Sequence, residues 1–344
     1  SCHGAHDIKA SADPTSSVNR ANLSLTCGRC HPGATRRFSV GSVHVTMEKA
    51  KEPILYWIAT LYVGLIVVVV GGMFLHNLLD FLRKSSHRLK VRRGEAAEEI
   101  HGHALYLRMT LAERLQHGAL MLSFTVLVIT GFMLRYPEAW WVQGIRRLSD
   151  HAFDLRSLSH RTAAVVMIGA SLAHLYYLAC TRRGREFFKD MLPCRRDVTD
   201  ARQNLLHNLG LPAAKPRFGR FSYMEKMEYW ALVWGTLVMA VTGVIMAFEN
   251  LFISWLTKLG WDISRTVHFY EAWLATLAII VWHLYYVIFN PEVYPMNTAW
   301  LSGRMPESVM AEEHPLELEA LRRRDQEPEP KQEPEQEPEK LEEA

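Results

Sequence analysis

Long apolar runs separated by short basic ones set the pattern of this chain. Five dominate, at about residues 53–76, 114–135, 157–180, 227–248 and 266–289. Each comes close to the roughly 20 residues that cross about 30 Å of hydrocarbon at 1.5 Å rise per residue. The runs are apolar around their whole circumference, with Trp, Tyr and Arg at their ends, unlike the one-sided helices of a soluble bundle. The pattern predicts an all-α membrane protein with five transmembrane helices.

A mean hydropathy of only −0.04 conceals those spans, because both ends of the chain are polar. Residues 1–50 are rich in Ser, Gly and Asp and too poor in apolar runs to build a core. Residues 51–300 form the membrane bundle. Residues 301–344 make a tail whose Glu/Pro/Gln-rich composition predicts disorder after about 312. Net charge, +3, says little; its placement says more. Arg83, Lys84, Arg88, Lys90, Arg92 and Arg93 follow the first span, and Arg182, Arg183, Arg185, Lys189, Arg195 and Arg196 follow the third. The positive-inside rule therefore predicts an external N-terminus and a cytoplasmic C-terminus, here the periplasmic and cytoplasmic sides of a bacterial inner membrane.

Cys27-Gly28-Arg29-Cys30-His31 is a complete C-x-x-C-H, whose two thiols attach a haem c while the histidine ligates its iron. Ser1-Cys2-His3 reads as the last three residues of a second such motif, so a further cysteine and an export signal are expected upstream. The segment then holds at least two haems c, with His3 and His31 as proximal ligands. His6 and His44 are the available distal imidazoles, and which serves which iron stays open. Cys180 and Cys194 fall on the reducing side and are expected to be inert.

Histidines within the spans carry the central argument, because intramembrane ionisable residues mark function. His160 and His174 lie fourteen apart in the third span, and His268 and His283 fifteen apart in the fifth. At about 100° per residue both pairs return to nearly one helix face, about 21 Å apart along the axis. That geometry suits two stacked haems b with two imidazoles each. His117, at the start of the second span, is a fifth candidate; Gly131, fourteen residues on, lets a porphyrin approach the backbone at the other level. His76 is expected to be interfacial.

Glu113-Arg114-Leu115-Gln116-His117 at a helix start, Thr130-Gly131 near its end, His160, the stretch Tyr223 to Trp230, and His268 with His283 together resemble the b-type cytochromes of formate dehydrogenase gamma subunits and nickel-iron hydrogenases. The resemblance covers about residues 105–315. It implies a four-helix dihaem bundle, with one haem between His160 and His268 and the other between His117 and His283. The first span, fused to haem-c sequence, is additional to that family's pattern. Spacing alone offers His174 as a rival to His117 for the cytoplasmic-side iron. The resemblance also implies a quinone beside Phe221 to Lys226, where the family carries Asn and Gln at the positions of Ser222 and Glu225. Ser222 is then expected to hydrogen-bond a quinone carbonyl and Glu225 to relay protons; Lys226 completes the site or pairs with a haem propionate.

No nucleophile elbow, phosphate loop or dinucleotide fingerprint is present, and nothing points to nucleic acid. The sequence predicts electron transfer between periplasmic haems c and the membrane quinone pool, with a periplasmic or outer-membrane redox protein as partner, within a multi-subunit complex. The alternative is the membrane anchor of a periplasmic dehydrogenase, hydrogenase or reductase that holds the catalytic subunit.

Overall fold

The computed structural model describes residues 8–31, 34–40, 45–95, 102 and 104–326. The expected haem-c residues Cys2, His3, His6 and His44 lie outside them, as does the tail from 327.

Helix α1 (Leu23–Gly28) and a 3-10 turn (Arg36–Ser39) precede α2 (Pro53–Arg92). Strand β1 (Leu105–Leu107) leads into α3 (Leu111–Arg135), then the short α4 (Trp140–Leu148) and α5 (Asp150–Asp154) and the long α6 (Arg156–Cys180). Helices α7 (Arg182–Met191) and α8 (Arg195–Asn208) carry the second basic stretch. Helix α9 (Tyr223–Ala247) is followed by α10 (Glu249–Ala278), which runs on through two π-helical turns, Ile279–His283 and Tyr285–Phe289. After α11 (Ala299–Ser302), strand β2 (Arg304–Pro306) pairs antiparallel with β1, Tyr106 facing Met305. Helices α12 (Glu307–Glu313) and α13 (Pro315–Gln326) close the described chain.

Helices α2, α3, α6, α9 and α10 are long and apolar enough to cross a membrane. Their apolar side chains point outward, Val68 73% and Val165 70% exposed, as lipid-facing residues do. Helices α3 and α6 form one hairpin and α9 and α10 another, with α2 laid on α10. The two hairpins meet through side chains, Phe132 against Trp273 with ring centroids 4.5 Å apart, Tyr136 against Phe269, and His174 against Tyr229, while their backbones stay apart among the described residues. That leaves room between them.

Local chemistry fixes the helix starts. Thr110 accepts the Glu113 N–H, and Glu113 accepts the Thr110 N–H at 2.7 Å; Ser222 and Glu225 repeat this capping box on α9. Helix α2 exceeds the expected first span: 40 residues make about 60 Å, twice the hydrocarbon thickness. Its basic end is held because Lys84 reaches Asp80 and Glu292, each at 3.0 Å, and Glu313 at 3.5 Å.

The same contacts correct the expected start of disorder. The chain remains helical to Gln326, past 312, because Met310 and Leu318 pack with Ala299 and Met305. Glu317 also bonds Arg108 at 2.7 Å. Composition averaged over the tail hid those few apolar positions.

Candidate functional site: two histidine pairs between the hairpins

Helix α6 presents His160 to α3, and α10 presents His268 to α9. Thr130 donates its hydroxyl proton to the Val126 carbonyl at 2.6 Å and so accepts from His160 Nδ1–H at 3.0 Å. Thr242 likewise donates to Val238 O at 2.7 Å and accepts from His268 Nδ1–H at 2.8 Å. With Nδ1 protonated, each Nε2 keeps a lone pair for a metal. A glycine follows each threonine. A side chain there would crowd the imidazole, since a Cβ on Gly131 would lie 3.2 Å from His160 Cε1 and one on Gly243 3.4 Å from His268 Cε1.

The imidazoles meet across the space between the hairpins. His160 and His268 have ring centroids 6.5 Å apart, and His117 and His283 6.3 Å apart. Metal–imidazole bonds of about 2.0–2.1 Å, with about 1.1 Å more to each ring centre, would put the ring centres of two imidazoles sharing one iron about 6.3 Å apart. Both pairs fit one iron each. His283 Nδ1 is held by the Glu228 carboxylate, whereas His117 Nδ1 is buried without a hydrogen-bond partner among the described residues.

His174 is engaged elsewhere. Its Nδ1–H donates to Gln116 Oε1 at 2.9 Å, and its Nε2 accepts from Tyr229 O–H at 3.2 Å. No lone pair is left for a metal. His76 is similarly occupied, by Tyr223 at 2.7 Å, and His207 accepts from Arg83 at 3.0 Å.

One residue more between His268 and His283 than between His160 and His174 rotates a regular helix by about 100°. The π turn at Ile279–His283, which lies between the two histidines, absorbs it by admitting one extra residue without turning the face. Asn77 of α2 steadies the bulge by donating to Val281 O at 2.7 Å.

The model of prokaryotic cytochrome b561 matches residues 108–298. The chain belongs to this family. No curated protein matches it. It is thus an all-α membrane cytochrome of the b561 family, which carries electrons across membranes on b-type haem. The match spans α3, α6, α9 and α10 and leaves α2, the C-x-x-C-H segment and the C-terminal helices outside.

At the basic-loop end, Ser222, Glu225, Glu228, Asn290, Glu313 and His314 are among the residues that line a cavity of about 90 Å³. Its size suits a few waters and not a quinone ring. Glu225 is shared: one oxygen closes the capping box and the other accepts from Arg108 at 2.9 Å. The Ser222 hydroxyl is committed to the same box, which departs from its expected bond to a quinone carbonyl. Lys226 turns away to Asp197 at 3.0 Å. There the ammonium and the Cys194 N–H hold the Asp197 carboxyl below its usual range, although burial alone would raise it.

At the other end, Cys27 to His31 form one helical turn, with the His31 N–H on Cys27 O at 2.8 Å. His31 Nδ1 lies 3.0 Å from Asn250 Oδ1, and the Leu259 N–H donates to Val40 O at 3.0 Å. The motif therefore rests on the start of α10, on the His268 side of the bundle.

Sequence reading missed an internal repeat. Shifted by 112 positions, Glu113, Leu120, Val126, Thr130 and Gly131 of α3 recur as Glu225, Leu232, Val238, Thr242 and Gly243 of α9. His160 maps to His268 after 108, and His174 to His283 after 109, the π residue making the difference. The repeated Thr-Gly was the available signal. Glu271 was also passed over: buried in α10, it is hydrogen-bonded by Tyr62 of α2.

Proposed function

We propose that this protein links a c-type haem on Cys27, Cys30 and His31 to the membrane quinone pool through two haems b, held by His160 with His268 and by His117 with His283. The observation that supports this most is the stacking of two imidazole pairs at trans-ligand spacing below a C-x-x-C-H docked on α10. Each haem, when bound, supplies a one-electron carrier. The chain supplies the rest: Thr130 and Thr242 fix the imidazoles of His160 and His268 in the metal-binding tautomer, and Gly131 and Gly243 leave room for those rings. His31 has its Nδ1 on Asn250, which leaves Nε2 for iron.

In this reading the C-x-x-C-H end is periplasmic, the basic loops lie in the cytoplasm of a bacterial cell, and a further redox protein meets the periplasmic face. Quinone reacts near the cytoplasmic pair. Reduction consumes protons, and Glu225, on a water-sized cavity between α9 and the C-terminal helices, is placed to hand them on. Ser222 and Arg108 hold that carboxylate in place.

The test is haem counting on the purified chain. Haem resisting acid-acetone should be present and should vanish in the Cys27→Ser/Cys30→Ser variant. Two extractable haems b should fall to one in His268→Ala and in His283→Ala, a different one in each. Extractable haem alone, or two haems b in either alanine variant, overturns the reading.

A further inference from the structure

We propose that Glu228 is a positioning residue that sets the potential of the haem held by His283 and His117, keeping it lower than a neutral partner would. This rests on the ligand assignment above. The internal repeat carries the inference, because it shows the same hydrogen bond made twice with different chemistry. Gln116 on α3 holds His174 Nδ1 at 2.9 Å. Its counterpart 112 positions on, Glu228 on α9, holds His283 Nδ1. Their neighbours have diverged in step: His117 occupies in α3 the position of Tyr229 in α9. So where the partner is a neutral amide, the histidine's other nitrogen is closed by Tyr229; where it is a carboxylate, the other nitrogen has no such cap among the described residues, and the ring lies 6.3 Å from that of His117, centroid to centroid.

The sign follows from charge. Ferric haem carries one positive charge more than ferrous, so an anion on a ligand's Nδ1–H favours the ferric form and lowers the potential. Both side chains are partly buried, His283 32% and Glu228 27% exposed, so the interaction is screened less than it would be at a protein surface. Among the described residues no such anion bonds the other pair, whose Nδ1 atoms rest on the hydroxyls of Thr130 and Thr242. His117 Nδ1 has no partner among the described residues, so Glu228 is the charged group acting on this pair through a ligand.

The test is Glu228→Gln, which the Gln116–His174 contact shows can keep the hydrogen bond while removing the charge. Optical redox titration of the purified full chain should show one of the two b-haem potentials rising and the other staying in place. The oxidised-to-reduced equilibrium should shift at least tenfold, which is 59 mV for one electron. The low-spin ferric resonance of that haem should shift too, and Glu228→Asp, which keeps the charge, should stay nearer the unmodified protein. Unchanged potentials with both haems bound would overturn the proposal, as would equal movement of both or loss of the haem from Glu228→Gln. Failure of the ligand assignment reads differently: His283→Ala would retain both haems b.

Discussion

Thr242→Val tests the His160–His268 pair with the least disturbance. Valine is nearly the shape of threonine, so packing on α9 is kept while the acceptor at 2.8 Å from His268 Nδ1 is lost. An unpartnered N–H in an apolar bundle costs about 1–3 kcal/mol. The Met239 carbonyl is also within reach of this imidazole, which keeps the loss in the lower part of that range. One to two kcal/mol corresponds to roughly 5- to 30-fold weaker haem retention. Removing the contact also frees the imidazole to rotate or change tautomer, and outer partners of this kind typically contribute 10–100-fold to metal affinity. The assay is haem transfer from purified protein to excess apomyoglobin, followed at the absorbance of that pair's haem. Thr130→Val should act alike, because its geometry on His160 is the same, and the double variant should lose that haem while keeping the one at His283. Retention unchanged in the double variant would refute the role given to both threonines.

Three further outcomes are expected. His174→Leu should keep both haems b while His117→Ala loses one, measured by pyridine haemochrome; the reverse would restore the choice that spacing alone favours. Deleting lipid-facing Ile280 should convert the π turn at Ile279–His283 to regular helix and retain both haems, whereas inserting an alanine there should expel the one at His283 by turning its face about 100°. Asp197 adds stability through Lys226 that is complete above its unfolded value of 3.8 and fades as pH falls through its lower folded value. Thermal melts of Asp197→Asn in detergent should therefore differ from the unmodified protein by under about 1 kcal/mol near neutrality, and the difference should vanish at strongly acid pH.

Much of the architecture was legible because lipid imposes a simple rule: spans must be long, apolar and helical. The five runs, and the histidines costly enough to stand out within them, followed from that rule alone. The ends of the helices did not. Helix α2 runs to Arg92 and the C-terminal helices reach Gln326, the first with Lys84 on Glu292 and Glu313 and the second with Met310 and Leu318 on Ala299 and Met305 and Glu317 on Arg108, contacts that mostly join residues no local window contains. Helix spacing could not choose between His117 and His174 for a related reason: the groups on the two nitrogens of His174, Gln116 and Tyr229, are 58 and 55 positions away.

The repeat shows why spacing could mislead. Two hairpins built on one pattern place histidines at corresponding points, His160 with His268 and His174 with His283, so periodicity within a helix treats the second correspondence like the first. At the first level both copies kept threonine, glycine and histidine, and their imidazoles meet. At the second the copies diverged at two adjacent positions, Gln116-His117 against Glu228-Tyr229. In one half the tyrosine hydroxyl caps His174; in the other, His117 stands where that cap would be and His283 is left open. The two levels therefore differ through positions on α3 and α9, the helices whose histidine spacing could not be compared.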